Sequence, residues 1–496
     1  MKKSISNIRA ALFCLSGAGL LVLLFLIISA CQTPESLTRG RQKSLEKGLL
    51  RPVYLKGQRP EKMRLADRMS FYKVPGVSLA VMDKYRLEWS RTYGYKDIVQ
   101  YQPLTRNTVF QAGDLSQPVS AAVALRLVEK GLVSLEANLG DYYLDIAFSG
   151  RKFRPSEKLS FLLSSLLSHN AGFYPWTSEG YSRSTPLPDL GAVLRGEEPA
   201  RNYHSYRGFD PEIPVRFSDF NYVLLEQYLT SRTGKSWPEL SREEVLEPLG
   251  LKNTFFGIPA VEDVALGHLR EGEEIEGGWY RYPEQAARGL WSTPEEYLDL
   301  VIELMDCARG KTGGLLSPAL ARRMLSPQAA GSGYGFRLEG EHEKFKLFLK
   351  GKTRGYRAAV LIYPALGQGA VVMTNSDNGG VLIEEILRGL AVIYGWPDYQ
   401  PEEKTLFRLA PEIYQKYTGR YQVNENYFLD VDYQDYYLIV HPTGQAATKF
   451  YVETQTIFFS MDPFIRIKFN LDEQGRVTGL VLWQEDYEVR ARKIEE

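Results

Sequence analysis

Cysteine is nearly absent: Cys14, Cys31 and Cys307 are the three in 496 residues, which excludes a scaffold built on disulfides. The five histidines, His169, His204, His268, His342 and His441, are scattered without the spacing of a metal site, so no metal and no cofactor is expected. Neither sign of charge is in excess. Lys and Arg total 60 against 60 Asp and Glu, which argues against a nucleic-acid partner, since such proteins usually need a basic face. With 43 Gly and 26 Pro the chain is too poor in both for a fibrous or low-complexity protein, and no internal repeat is visible. What remains is a globular composition, 44% hydrophobic and 24% charged, long enough for a large domain with a smaller companion.

Met1, Lys2, Lys3 and Arg9 give a positive start before an uncharged run from Ala11 to Ile28, the pattern of an export signal. Hydropathy alone leaves open whether it is removed or stays as an anchor. Ile28-Ser29-Ala30-Cys31 resembles the bacterial lipobox, whose cysteine is diacylated before the signal is cut off in front of it. The resemblance implies a signal peptide over 1–30 and a lipoprotein held through Cys31 to a membrane of the bacterial cell envelope, facing the periplasm or the exterior. Without its leading cations the chain is slightly acidic and offers no polybasic hold on lipid. Residues 31–59 are polar, include Pro34 and Pro52, and read as a tether.

Further along, Val77 to Val81 and Leu87 to Tyr93 alternate like strands of a hairpin turning at Asp83-Lys84. Val119 to Gly131, Phe161 to Leu167, Tyr222 to Thr230 and Thr293 to Met305 carry helical spacing. Ala358 to Tyr363 and Ala370 to Thr374 read as paired strands. The irregular stretch from Phe173 to Val215, with Tyr174, Trp176, Tyr181 and Tyr203, is long enough to suggest a lid or site wall. From about Pro401 seven short strands follow in quick succession, between Gly419 and Lys493, and predict a small β-barrel or sandwich over 401–496.

Three segments over 60–397 carry a resemblance. Gly113-Asp114-Leu115-Ser116-Gln117-Pro118 leads into the Ala-rich helix. Phe217-Ser218-Asp219-Phe220-Asn221-Tyr222 follows Pro211. Leu349-Lys350-Gly351 precedes Gly355-Tyr356, and Lys352-Thr353-Arg354 is an alternative one-residue slip. With Leu166-Leu167-Ser168-His169-Asn170-Ala171-Gly172, Glu247-Pro248-Leu249-Gly250-Leu251 and Gly289-Leu290-Trp291-Ser292-Thr293 as scaffold stretches, the order resembles the serine β-lactamase and penicillin-binding-protein family, in its class C and esterase-like branch. The resemblance implies an α+β fold, an antiparallel sheet flanked by helices with a helical subdomain, and a small trailing β-barrel or sandwich.

That family places a Ser and a Lys one helical turn apart, a Tyr-x-Asn loop and a Lys- or His-Thr-Gly strand around one site. Here Asp114 stands at the Ser position, Gln117 at the Lys, Phe217 at the Tyr and Asp219 at the Asn. A serine hydroxyl is inert without a base to take its proton, and removing nucleophile or base costs on the order of 10⁶ in turnover. The resemblance therefore implies a non-catalytic relative acting as a binding or scaffold protein, with a peptidoglycan-derived peptide or another envelope protein as partner. Asp114, Gln117, Asp219, Lys350 or Lys352, and Arg354 are expected to converge on the pocket, with Tyr174 and Tyr181 on its wall. The alternatives are a divergent hydrolase of esterase, D-alanyl peptidase or β-lactamase type, using Ser116 or a water activated by Asp114 and Asp219, and a protein whose working part is the C-terminal β unit.

Overall fold

The computed structural model describes residues 34–140, 142–143, 160–174, 176, 178–202, 217–484 and 487–494. The expected signal segment, Cys31 and Tyr203 lie outside them. Among the described residues no helix is long and apolar enough to cross a membrane.

The run Gly76–Asp83 is apolar on both of its alternating faces, and both are buried: Ala80 and Met82 enter one core, Val77, Leu79 and Val81 another. A strand covered on two sides has no place for polar alternation. In chain order the strands of the body are β1 (Val53–Leu55), β2 (Gly76–Asp83), β3 (Arg86–Asp97), β4 (Gln102–Pro103), β5 (Phe110–Gln111), β6 (Phe255–Phe256), β7 (Leu290–Ser292), β8 (Arg337–Glu339), β9 (Lys346–Thr353), β10 (Tyr356–Tyr363), β11 (Gln368–Thr374) and β12 (Glu402–Lys404). Seven of them form an antiparallel sheet in the order β4-β3-β2-β11-β10-β9-β8. The β2–β3 turn falls one residue later than expected, at Lys84-Tyr85, both at positive φ (52° and 61°). Tyr85 is held there by its amide on the Gly367 carbonyl (2.9 Å) and by Arg309 over its ring (3.7 Å).

Helices α1 (Pro34–Glu46), α2 (Leu65–Tyr72), α3 (Ser116–Glu129), α4 (Phe220–Thr233), α5 (Pro294–Arg309), α6 (Gly379–Tyr394) and α7 (Pro411–Tyr417) follow the chain. Leu45 of α1, Leu65 and Met69 of α2, and Leu382, Ile386 and Leu390 of α6 cover one sheet face. The other face carries α3, α4 and α5 with the core around Val119, Leu224 and Leu298. Each such side chain taken from water contributes roughly 1.5–3 kcal/mol. Helix α3 starts with Pro118 in its first turn, where the missing amide costs nothing, and gives way to Gly131 at φ 69°.

The stretch 34–59 expected as a tether is, as far as described, part of the body. Leu45 and Leu49 are fully buried, Arg41 reaches Glu88 (2.9 Å) and Asp83 (3.2 Å), and β1 pairs in parallel with β12. The polar composition misled because α1 is fixed to the sheet by ion pairs along its flank and buries only a narrow apolar stripe.

After β12 the chain forms a closed barrel of eight strands, β13 (Gly419–Asn424), β14 (Tyr427–Gln434), β15 (Tyr437–Pro442), β16 (Thr448–Val452), β17 (Ile457–Phe459), β18 (Arg466–Leu471), β19 (Val477–Gln484) and β20 (Tyr487–Ile494). The short β16 was not among the seven expected. Closure through β13–β20 pairing leaves no free edge, and α7 plugs the lumen with Tyr414 and Tyr417, packed on Phe458 and Phe469. An ionic clamp joins barrel to body: buried Arg68 donates to both oxygens of Glu385 (2.9 and 2.6 Å) and to Asp462 of the barrel (3.0 Å).

Candidate functional site

Two glycines set the geometry of the site. Gly113 sits at φ 57°, and a Cβ there would come within 2.5 Å of the Lys352 nitrogen; a Cβ on Gly351 would lie 1.9 Å from the Ala112 carbonyl oxygen. Only residues without a side chain let the turn before α3 lie directly against β9. That approach places Asp114, in the turn Gly113–Leu115, beside the strand, where its Oδ2 accepts from the Lys352 amide (3.1 Å).

Along β9 the side chains alternate. Leu349 and Gly351 face the core that holds Ala112 and Leu115, while the Lys350 ammonium pairs with Glu384 of α6 at 3.2 Å. Asp219 comes from the opposite wall, at the start of α4.

Between the two aspartates stands Arg288, a residue with 7% of its side chain exposed. Its Nε donates to Asp219 Oδ2 (2.5 Å), Nη2 to Asp114 Oδ1 (3.3 Å) and Nη1 to the Lys352 carbonyl (2.6 Å). Gln117, one turn into α3, donates from Nε2 to Asp219 Oδ1 (3.1 Å) and accepts at Oε1 from His169 Nε2 (3.0 Å). The Nδ1 of His169 then accepts from the Ser218 amide (3.3 Å) and from Asn221 Nδ2 (3.2 Å). These partners fix the tautomer with its proton on Nε2. The result is one continuous buried network from His169 through Gln117, Asp219 and Arg288 to Asp114 and the β9 backbone.

Burial pushes His169 down to about 3, with Arg337 adding to the effect, so the imidazole is neutral. Burial pushes the Asp219 carboxyl up; Arg288 pulls against that rise and Asp114 reinforces it. Arg288 remains charged, its carboxylate neighbours outweighing its desolvation.

A cavity of about 370 Å³ opens over this network. Asp114, Gln117, Phe217, Asp219, Leu349, Lys350, Gly351 and Lys352 all line it, so the three sequence segments do converge. Trp176 and Arg337 complete the mouth, with the Arg337 guanidinium 4.1 Å over the Phe217 ring.

Three expectations fail. Arg354 is turned away, its amide on the Tyr282 hydroxyl (3.0 Å) and its guanidinium over Tyr280 (5.1 Å). Tyr174 and Tyr181 do not line the cavity; Tyr181 is 3% exposed, its hydroxyl accepting from the Arg201 amide (2.9 Å). Ser116 is fully buried, its hydroxyl donating to the Gly113 carbonyl (2.6 Å) and accepting from the Leu290 amide (3.0 Å). A hydroxyl so placed stitches the turn to β7 and reaches no substrate.

Arg288, His169 in its polar role, and Arg337 were missed. Arg288 directly precedes the Gly289-Leu290-Trp291-Ser292-Thr293 stretch read as scaffold, and a lone Arg closing the short helix Gln285–Arg288 was the available signal.

A sheet flanked by helices, with a site between the start of α3, the start of α4 and β9, defines the serine β-lactamase class of fold. The chain belongs to the Beta-lactamase family, whose model matches residues 64–392. Among its relatives is a penicillin-binding protein of Bacillus subtilis (strain 168), 20% identical over 436 residues, 81% of this chain and 91% of that one. A teichoic acid D-alanine hydrolase of Staphylococcus aureus (strain MRSA252) is 26% identical over 215 residues, 42% of this chain and 48% of that one. The octameric penicillin-binding protein homologue from Pyrococcus abyssi shares the fold, with a TM-score of 0.57, 19% identity, and coverage of 86% of this chain and 98% of that one.

Proposed function

We propose that this protein is a membrane-tethered member of the family that binds or scaffolds in the bacterial cell envelope and does not transfer acyl groups. One observation carries the reading: Arg288 ties Asp114, Asp219 and the β9 backbone into a closed ionic network. In the register Leu349-Lys350-Gly351, the Lys352 amide is the donor that would stabilise a developing oxyanion, and the Asp114 carboxylate already occupies it. Neutral His169 has both ring nitrogens engaged, Gln117 cannot take a proton, and Phe217 has no phenol. The cavity keeps Trp176, Phe217 and Arg337 as a mouth for a peptide or muropeptide ligand.

The test is covalent labelling of the full chain with a fluorescent penicillin and with an alkyl fluorophosphonate. No label is expected; stoichiometric label on any serine of the body would end the reading.

A second reading, a divergent hydrolase that activates water between Asp114 and Asp219, is favoured by the relatives named as hydrolases. Ester or D-alanyl peptide turnover that disappears in Asp114→Asn would establish it over the first.

A further inference from the structure

Helix α1 turns Gln42 and Leu45 inward. On the opposite side Arg39, Lys43 and, just past its end, Lys47 are exposed at a spacing of four, which stacks them along one line. Two carboxylates lie near this line: Glu46, which accepts from the Tyr93 hydroxyl (3.2 Å), and exposed Glu35 in the first turn.

Past Lys47 a groove of about 930 Å³ opens, with Leu65, Met69, Val74 and Tyr93 among its lining. Lys47, Arg64 and Lys73 border it against Glu46 and Glu271, and the Lys73 ammonium donates to the Glu271 carbonyl (3.0 Å). Beyond the groove the ribbon of β3 and β4 exposes apolar side chains at its tip: Ile98 is 41%, Val99 73% and Tyr101 75% accessible.

The direction of α1 links these features. Arg41 meets Glu88, Gln42 meets Arg91 (2.9 Å), and Glu46 meets Tyr93, so helix and β3 run the same way. The start of α1 and the ribbon tip therefore mark opposite ends of one edge, made of about 20 Å of helix at 1.5 Å per residue and, past Tyr93, the remaining residues of β3. The uncharged run Ala11–Ile28 precedes the start of α1 in the chain.

We propose that this edge lies on the surface of an anionic bilayer. Ile98, Val99 and Tyr101 enter the interface, Arg39, Lys43 and Lys47 sit over the headgroups, and the charge-rimmed groove opens onto the headgroup layer. The overall charge balance gives no sign of this, because the cations are gathered on one side of one helix. The inference rests on the membrane-tethered reading for its anchored end only.

The experiment uses the full chain with Val99→Cys carrying a nitroxide, in vesicles of phosphatidylcholine alone and with phosphatidylglycerol, and Ile258→Cys as an exposed control. Cys307 is buried and stays unlabelled, and the parent chain without the added cysteine, carried through the same labelling, subtracts any signal from Cys14 and Cys31. With anionic vesicles the label at 99 should lose collisions with a water-soluble nickel complex and gain collisions with oxygen, while the label at 258 does neither. The triple reversal Arg39→Glu, Lys43→Glu, Lys47→Glu should return the label at 99 to water without releasing an anchored chain. A label at 99 as open to nickel as that at 258 would overturn the proposal, and so would one shielded from both nickel and oxygen, which marks a protein partner. Release of the chain from neutral vesicles, with the label at 99 still immersed in anionic ones, would refute the anchor alone and leave this surface standing.

Discussion

Replacing Arg288 with Met removes the cation that buried Asp219, half-buried Asp114 and a backbone carbonyl share. Breaking a buried ion pair from one side costs about 3–5 kcal/mol, because the partners keep their desolvation and lose their attraction. Asp219 is 5% exposed and Arg288 7%, so solvent screens little of this. The sign of the pH dependence follows. Burial and Asp114 already push Asp219 upward, and without Arg288, which pulls against that rise, its carboxyl binds a proton more tightly still. A carboxyl raised in the fold is stable while protonated, and its contribution is lost as pH rises from the ordinary carboxylate range through the raised value. Arg288→Met should therefore lower the thermal midpoint more at pH 8 than at pH 5. At roughly 2–4 °C per kcal/mol for a domain of ordinary size, the loss at pH 8 is on the order of 10 °C. Adding Asp114→Asn and Asp219→Asn should recover most of it, since neutralising the partners removes the stranded charge. Differential scanning fluorimetry across pH reads both effects. An unchanged midpoint at pH 8, or equal losses at pH 5 and pH 8, would refute the view that Arg288 is what allows two carboxylates to share this interior.

Glu226 of α4 accepts from the Ala286 amide (2.7 Å), and burial pushes its carboxyl up to about 8; Glu226→Gln keeps an acceptor and should raise the thermal midpoint near pH 8.5 while changing it little near pH 4, and equal shifts at both would contradict the assignment. Arg68→Met strands buried Glu385 and leaves Asp462 to Arg51 at the junction of body and barrel, a loss of about 3–5 kcal/mol that should appear as faster limited proteolysis between residues 397 and 410; an unchanged digestion rate would show that the clamp does not hold the barrel in place.

The family's landmarks were legible because they are backbone requirements. Gly113 and Gly351 are fixed by the close approach of turn and strand, and α3 by its apolar run. Single sequence positions also revealed that Asp114, Gln117 and Phe217 do not carry the groups that acyl transfer needs. Arg288 was not legible, because its role exists only where α3, α4 and β9 meet, and its place beside the Gly289–Thr293 stretch says nothing of the partners it finds there. The misplacement of Arg354 has the same origin: two residues past Lys352, at the end of β9, its side chain follows the strand turn to Tyr280 and away from the cavity. Helix α1 and β1 escaped detection for a different reason. Their stability comes from pairing with segments hundreds of residues away, Leu45 with α6 and Val53 with Glu402, and local periodicity carries no record of that.

The pairing of β1 with β12 has a mechanical consequence. Its register, Val53 with Glu402, Tyr54 with Glu403 and Leu55 with Lys404, is parallel. A pull on the chain ahead of Val53 and a pull on the barrel beyond Lys404 act in opposite directions along the two strands. The rungs are then loaded in shear, all together, and not peeled one after another. Tension between the amino-terminal end and the barrel would first work against α1 on β3, through Arg41 and Glu88, and the clasp would carry what passes beyond that helix.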